Sequence, residues 1–451
     1  MTKEQMLELL ESFRLSYKRD GKPIQINFRQ LVPELSSSDR YTHLIHSYPA
    51  KLLSHIPYFF LHTDCFCPVN GVVLDPFCGT GTVMLEANIL GRTAFGADAN
   101  PLAVLIAQVK TTYIPGDILY STLSTIINVA RRSKVEPNGN SNSIERWFSP
   151  STIRQLATLE DAIDKVRDQK LKNFFSLCLS NVVRKVSFAD PSISVPVKLN
   201  PERFVNNPDR KRATEFKLET LKCIDVYDKF EDICKINIKR IESLKDIQSK
   251  GVHTKIISND ARRLTSVYGS DQMLENDSVN LILTSPPYAG AQKYIRASWL
   301  NLYWLGSKEP ENIRLLKDNN IGREDYNKSQ QKQYIKTGIE AADAVIEALY
   351  SEGKYERACI VGNYLNEMKQ ALDECMRVLK KNGRMIIIIG NNTVCGRPFD
   401  TQDYLTTYLQ SNGMNLEFKL IDDIKSYGLM TKRNKTASTI SCEWVLVFEK
   451  K

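Results

Sequence analysis

A short apolar segment near residue 75 runs directly into a glycine-rich turn and then into a helical pattern. The segment is Gly71–Asp75, the turn contains Gly79 and Gly81, and the helical pattern covers Thr82–Leu90. A strand that enters a helix through such a turn is typical of nucleotide-binding α/β sheets, because glycine lets the backbone approach a ligand closely. This feature constrains the fold more than any other in the chain, and it predicts a doubly wound α/β sheet.

Other short apolar runs alternate with helical stretches, which predicts about seven strands in one Rossmann-like sheet. The further predicted strands are Thr93–Ala97, Lys255–Ser258, Val279–Thr284, Met385–Ile389, Leu416–Ile421 and Cys442–Phe448. The predicted helices include Ser149–Val166, Phe174–Val186, Thr214–Ile247 and Tyr364–Leu379. The long intervals between strands predict three parts, which are a cofactor-binding half (1–112), a helical insertion (113–250) and a catalytic half (251–451) with a smaller insertion (290–358).

The composition limits the class of protein. Sixty-one Lys and Arg oppose 52 Asp and Glu, for a net charge of +9, which permits a polyanionic partner without demonstrating one. No apolar run approaches the roughly 20 residues that a membrane span needs, and the start of the chain lacks the apolar region of a signal peptide. The ten cysteines are scattered, so we expect reduced thiols, no metal site and a cytoplasmic protein without a membrane partner.

The glycine-rich turn has an acidic residue at the expected distance. Asp98 follows the next predicted strand, about 23 residues after Asp75, where nucleotide-binding sheets place a ribose-binding acid. The strings DPFCGTGT (75–82) and GADANP (96–101) resemble the S-adenosylmethionine-binding motifs of amino-methyltransferases that modify nucleic-acid bases. The resemblance implies S-adenosylmethionine as cofactor, Asp98 as the ribose acid and loop contacts from Asp75, Phe77, Gly79, Gly81 and Thr82.

Two further segments resemble parts of the same cofactor site. The string HSYPAK, which begins at His46, resembles the family segment that packs beside the cofactor, and it implies contacts from His46 and Tyr48. A helix that starts at Pro49 is the alternative for this string. Asp260 follows the third predicted strand, where the family places a polar residue near the adenine amino group. Capping of the next helix is an equally good explanation of Asp260.

A diproline turn follows the strand Val279–Thr284. Two successive prolines end a strand abruptly, and the aromatic ring of Tyr288 offers a stacking face for a base. The string SPPY matches the family's catalytic motif, Ser/Asp/Asn-Pro-Pro-Tyr/Phe. The resemblance implies that Ser285 and the Pro286 carbonyl accept hydrogen bonds from an exocyclic amine, and that Tyr288 stacks on the base.

The serine of this motif bears on the substrate. In the family, serine is commoner among cytosine-N4 enzymes, whereas aspartate or asparagine is commoner among adenine-N6 enzymes. Ser285 therefore favours N4 methylation of a cytosine flipped out of double-stranded DNA, and adenine N6 is the alternative. An RNA base methyltransferase and a non-catalytic DNA-binding scaffold also stay open. The resemblance implies an orphan enzyme or one of restriction–modification type, the latter with a cognate restriction endonuclease as partner.

Basic residues near aromatic ones are the candidates for nucleic-acid contact. Lys293 and Arg296 begin a segment that also holds two tryptophans, and Lys432 and Arg433 precede the last predicted strand. A helix packed into the core and a solvated loop are the respective alternatives. The sequence leaves open which of the two insertions recognises the DNA sequence.

Overall fold

The computed structural model describes residues 2–35, 40–49, 51–136, 144–248, 251–289, 294–324, 326–423 and 442–451. Its strands are β1 (Ile24–Ile26), β2 (Val72–Asp75), β3 (Thr93–Ala97), β4 (Thr254–Ser258), β5 (Val279–Thr284), β6 (Leu379–Ile389), β7 (Asn392–Val394), β8 (Arg397–Phe399), β9 (Met414–Asp423) and β10 (Cys442–Lys450).

The helices are numbered along the described residues. The first eleven are α1 (Lys3–Asp20), α2 (Phe28–Leu31), α3 (His55–His62), α4 (Thr82–Ile89), α5 (Pro101–Lys110), α6 (Gly116–Arg132), α7 (Pro150–Asp164), α8 (Gln169–Val186), α9 (Pro208–Lys222), α10 (Val226–Glu242) and α11 (Lys245–Gln248). The others are α12 (Tyr294–Trp304), α13 (Pro310–Asp318), α14 (Lys328–Gln331), α15 (Glu340–Ser351), α16 (Tyr355–Val378) and α17 (Thr401–Ser411).

Eight of the strands form one sheet in the order β1-β9-β10-β6-β5-β2-β3-β4, and β7 pairs with β8 in a separate hairpin. Neighbours from β6 to β4 are parallel, whereas β10 is antiparallel to both β6 and β9. The chain order reverses between β2 and β5, which places a topological switch point at their carboxyl ends. A crevice at such a point is where doubly wound sheets bind ligands.

Helices cover both faces of the sheet. Alternate residues of β5 enter opposite cores, since Leu281 and Leu283 pack on the face with α1, α3 and α4, whereas Ile282 packs on the face with α15, α16 and α17. Burial on both faces explains why the central strands are continuous apolar runs without polar alternation. A third core joins α5 to α6, α7, α8, α10 and α12, so the helical layer packs on the sheet through α5.

The predicted doubly wound Rossmann-like fold is confirmed, with two differences of detail. The sheet has an eighth strand, β1, which is only three residues long and pairs with the edge strand β9. The predicted helix Thr214–Ile247 is wrong, since the region forms α9, α10 and α11. Asp225 begins α10 by accepting hydrogen bonds from the backbone N–H groups of Tyr227 (2.8 Å) and Asp228 (3.1 Å), and this cap separates α10 from α9.

Helices α6 to α11 lie between β3 and β4, within the predicted insertion 113–250, and α12 to α15 lie within 290–358. The division of the chain into 1–112, 113–250 and 251–451 stays a prediction. Across the described ranges, the search for a helix long and apolar enough to span a bilayer finds none.

Candidate active site

The carboxyl ends of β2 and β5 are joined by a buried hydrogen bond. The Thr284 hydroxyl donates to Asp75 Oδ1 over 2.6 Å, and the Phe77 backbone N–H donates to the same oxygen over 3.2 Å. Burial raises the pKa of Asp75 to about 7, although both hydrogen bonds oppose this shift. Asp75 therefore holds the glycine-rich turn against the strand that precedes the diproline turn, beneath the crevice.

The two glycines of the turn have different surroundings. Both have positive φ, +48° at Gly79 and +71° at Gly81. A Cβ at Gly81 would lie 2.9 Å from the Ala107 Cβ, so Gly81 lets α5 pack against the start of α4. A Cβ at Gly79 would meet nothing closer than the Phe77 carbonyl oxygen at 4.0 Å, because Gly79 faces open space. Only Gly79 lines the crevice.

Asp98 lies at the end of β3 and closes the other side of the turn. The Gly79 N–H donates to Asp98 Oδ2 over 2.9 Å, and the Asn100 N–H donates to Asp98 Oδ1 over 2.8 Å. Burial raises the pKa of Asp98 to about 6 against these two hydrogen bonds. The carboxylate is half-buried and lines the crevice, where its remaining lone pairs can accept hydrogen bonds from a ligand.

One cavity brings together half of the catalytic and cofactor-binding residues predicted from the sequence, six of twelve. The predicted site residues that line it are Tyr48, Phe77, Gly79, Asp98, Asp260 and Ser285. Pro76, Pro287 and Asn100 also contribute to the wall. The glycine-rich turn and the diproline turn therefore lie on one cavity, although the roles of these residues stay predictions.

Tyr48 and His46 point to different places. The Tyr48 hydroxyl accepts a hydrogen bond from Asn100 Nδ2 over 2.8 Å at the wall of the cavity. His46 instead lies under the helical layer, where its Nε2 is 3.0 Å from the Ser180 hydroxyl and its Nδ1 is 2.6 Å from the Ser47 carbonyl oxygen. Burial lowers the pKa of His46 to about 3, so the ring is neutral. His46 does not line the cavity, and its predicted contact with the cofactor would be indirect.

Thr82 is buried, and Asp260 has a structural partner of its own. Thr82 is buried as the first residue of α4. The Asp260 carboxylate binds the Arg262 guanidinium through contacts of 2.8–3.1 Å and accepts a hydrogen bond from the Arg262 backbone N–H. Its side chain keeps 35% of its surface exposed at the cavity, so Asp260 both organises its loop and faces the crevice.

The diproline turn borders the cavity, although Pro286 and Tyr288 are not among the residues that line it. Ser285 and Pro287 line the wall, and the Pro286 carbonyl accepts none of the hydrogen bonds formed among the described residues. Tyr288 is partly buried, and its hydroxyl donates to Glu443 Oε1 over 2.7 Å. Burial raises the pKa of Tyr288 well above its usual range and also raises the pKa of Glu443. The pair is therefore a neutral tyrosine hydrogen-bonded to a shielded carboxyl group.

The predicted nucleic-acid residues fall on different parts of the chain. Lys293, Lys432 and Arg433 lie outside the described residues. Arg296 is exposed on α12 and lines a second cavity beside the first.

Three residues at the site were not predicted from the sequence. Asn100 caps α5 through Leu102 N–H (3.1 Å) and also binds Tyr48, and its position before Pro101 is a recognisable cap signal. Thr284 was treated only as the end of a strand. Glu443 carries no local signal, because it reaches Tyr288 only through the antiparallel pairing of β10.

The chain is similar to proteins named as type II methyltransferases. M.MvaI of Kocuria varians is 24% identical over 398 residues, which is 83% of this chain and 82% of that protein. M.BsoBI of Geobacillus stearothermophilus is 24% identical over 66% of this chain and 58% of that protein. A solved structure, the rRNA methyltransferase aviRa from Streptomyces viridochromogenes, aligns over 94% of this chain and 96% of that chain with 11% identity and a TM-score of 0.28, which is too low to bear on function.

The family match covers both turns of the cavity. Residues 31–109 and 279–451, more than half of the chain, match the DNA methylase family of N6 and N4 methyltransferases. The first range contains the glycine-rich turn with Asp98, and the second contains the diproline turn with Glu443. The chain therefore belongs to the DNA methylase family.

Proposed function

We propose that this DNA methylase transfers a methyl group from S-adenosylmethionine to the exocyclic N4 amine of a cytosine flipped out of duplex DNA. The observation that carries the proposal is that Ser285 and Pro287 share one cavity with Gly79 and Asp98. A nucleoside-binding wall and an amine-binding wall would then border a single space. When bound, S-adenosylmethionine supplies an electrophilic methyl group on a sulfonium sulfur.

The residues of the first wall fit that cofactor. The bare Cα of Gly79 faces open space, which leaves room for a ligand next to the backbone. Asp98 would accept hydrogen bonds from ribose hydroxyls, and the Phe77 ring beside it supplies an apolar surface. The Asp98 carboxylate on the wall also favours a ligand that carries positive charge.

The residues of the second wall fit a base amine. An aromatic amine is a weak nucleophile because its lone pair is delocalised into the ring. Ser285 Oγ and the Pro286 carbonyl would accept hydrogen bonds from the two amine hydrogens and so favour a pyramidal nitrogen with an available lone pair. Tyr288, held by Glu443, would fix the base by stacking. Positioning and fixed dipoles would supply most of the rate enhancement.

The choice of cytosine rests on Ser285 within the SPPY motif, and a product analysis tests it. Duplex DNA methylated by the purified protein is digested to nucleosides and separated by mass spectrometry. We expect N4-methyldeoxycytidine, and Ser285→Ala should lower turnover at least 100-fold while S-adenosylmethionine affinity stays within about threefold. N6-methyldeoxyadenosine as the only product would overturn the cytosine assignment and leave DNA amino-methylation standing.

The names of the relatives also suggest a biological setting. M.MvaI and M.BsoBI are both called type II methyltransferases. We infer that this protein methylates a defined DNA sequence and protects it from a cognate restriction endonuclease. Sequencing of modified bases in plasmid DNA from an expressing host would reveal the sequence, and methylation without a common sequence context would contradict the inference.

A further inference from the structure

A second cavity lies beside the first and is strongly basic. It has a volume of about 630 Å³, and the two cavities share Tyr294, Asn320 and Ile321 as a common wall. Its charged lining residues are Arg296, Lys308, Arg314, Lys317, Arg323 and Glu324, five cations against one carboxylate. A positive cavity next to the proposed amine-binding wall favours a polyanion that reaches both.

Not all of these cations are equally available. Lys308 is held by Glu160 over 2.7 Å, and Arg323 donates to the Asp318 carbonyl. Arg314 has 83% of its side chain exposed, and its closest carboxylate contact is a long 3.9 Å to Asp318. Arg296 is exposed, and within the described ranges no hydrogen bond or ion pair of its guanidinium is found.

A pair of tryptophans extends the basic surface onto the helical layer. Trp299, one turn after Arg296 on α12, lines the cavity and packs edge-on against Trp147, with ring centroids 5.6 Å apart at 76°. The exposed guanidinium of Arg146 lies over the Trp147 ring at 5.8 Å. The Trp147 ring therefore supports Arg146, and its contact with Trp299 fixes the spacing between the segment of Arg146 and α12, which carries Arg296.

We propose that Arg146, Arg296 and Arg314 form a phosphate-binding surface, the arginine surface, for the DNA backbone beside the flipped nucleotide. One exposed guanidinium group can bind two phosphate oxygens at the same time. When an aromatic ring holds the arginine side chain in place, less conformational entropy is lost on binding. The inference rests on the proposed function, because it supposes that a flipped base enters the first cavity. The backbone of the same DNA strand would then lie along the second cavity. It also gives both insertions a share in DNA binding, through Arg146 in one and α12–α13 in the other.

The salt dependence of DNA binding tests the arginine surface. Binding of a labelled duplex to the full chain is measured by fluorescence anisotropy between 50 and 300 mM salt, for the wild type and for a variant with all three arginines changed to glutamine. We expect about 10- to 100-fold weaker binding at the low-salt end and a slope of log K against log salt smaller by about 2–3, near one for each lost phosphate contact. Affinity for S-adenosylmethionine, measured by calorimetry, should not change.

Two matched variants serve as controls. Arg19→Gln removes an exposed arginine at the end of α1, where it pairs with Asp20, and should leave the slope as in the wild type. Arg296→Lys keeps the charge and should restore most of the slope that Arg296→Gln loses. An unchanged slope in the triple variant would overturn the arginine surface. A reduced slope in a protein that methylates no base would support the surface and refute the proposed function.

Discussion

At the scale of single residues, the two glycines of the glycine-rich turn have different surroundings. We expect one to affect folding and the other to affect ligand binding. They share a positive φ, so alanine at either position carries a similar backbone cost of about 1 kcal/mol. The added methyl group meets Ala107 in one case and open space in the other. The backbone strain is similar in the two alanine variants. A difference in stability between them therefore reports the surroundings of the added methyl group.

We expect Gly81→Ala to lower the free energy of unfolding by about 1–3 kcal/mol more than Gly79→Ala does, because only its methyl group overlaps α5. Gly79→Ala should instead weaken S-adenosylmethionine binding about tenfold. Chemical denaturation and calorimetry measure the two effects. Equal destabilisation by both variants would show that backbone strain, and not the contact with Ala107, decides the outcome.

Asp98 should make cofactor binding depend on pH. Its pKa is raised to about 6 in the ligand-free site, so the carboxylate takes up a proton as the pH falls through 6 and loses its ability to accept two hydrogen bonds from ribose. We expect affinity to fall up to tenfold for each pH unit below about 6 and to level off above it. Calorimetry between pH 5 and 8 measures this.

Two isosteric variants distinguish the source of that dependence. Asp98→Asn should bind weakly at every pH, with a flat profile. Asp75→Asn should keep the profile of the wild type, because Asp75 lies beneath the cavity and not on its wall. Asp75→Asn should also gain stability relative to the wild type as the pH rises from about 4 to about 7 and should gain no more above 7, since within that range the carboxyl group is ionised in the unfolded chain but keeps its proton in the folded one. A flat wild-type profile would refute the role of Asp98.

Glu443 is a positioning residue in this account, because it contacts Tyr288 and not the cavity. Glu443→Ala should lower kcat about 10- to 100-fold, and Glu443→Gln, which keeps an acceptor for the Tyr288 hydroxyl, should recover most of the loss. The KM for S-adenosylmethionine should change less than threefold in both. A rise in KM with an unchanged kcat would assign Glu443 to binding instead.

At the scale of elements, the residue that caps α5, Asn100, also lines the cavity. Asn100 accepts the Leu102 N–H and donates to the Tyr48 hydroxyl, so one side chain caps the helix and fixes a cavity wall. Asn100→Ala should lower the free energy of unfolding by about 1–2 kcal/mol. Asn100→Ser keeps the cap, so it should recover about half of that loss while cofactor affinity stays reduced. Chemical denaturation measures the stability of each variant, and calorimetry measures its affinity for the cofactor. If Asn100→Ser lost as much stability as Asn100→Ala, the dual role would be refuted.

The elements also show how far the sequence determines this structure. The strand, turn and helix around Gly79 were predictable, because glycine spacing and apolar runs are local signals, and so was the SPPY turn after β5. The break between α9 and α10 was missed, since a charged periodic pattern hides the cap that Asp225 forms. β1 was missed because three residues form a strand only when β9 is beside them. His46 was assigned to the cofactor by its motif, but Ser180, distant in sequence, holds its ring elsewhere.

At the scale of the whole molecule, the helical layer has a core of its own, which includes α12 and packs on the sheet through α5. Trp147, Trp299 and Trp304 belong to the helical layer, whereas Trp444 lies on β10 in the sheet. In a Trp444→Phe variant, tryptophan fluorescence reports only the helical layer. We expect its thermal unfolding transition followed by fluorescence to coincide with the transition followed by far-ultraviolet circular dichroism. Two separated transitions would mean that the helical layer, including α12, unfolds independently of the sheet.

The reversed direction of β10 has a consequence for shortened proteins. The parallel strands β2, β3 and β5 end at the edge of the sheet that holds the cavity, whereas the antiparallel β10 begins at that edge, and Glu443 reaches Tyr288 for that reason. A truncation that stops before residue 442 would therefore remove a partner of the proposed base-stacking ring together with a central strand. Such a protein would lose both catalytic turnover and stability. Restoring its stability alone would not restore its turnover.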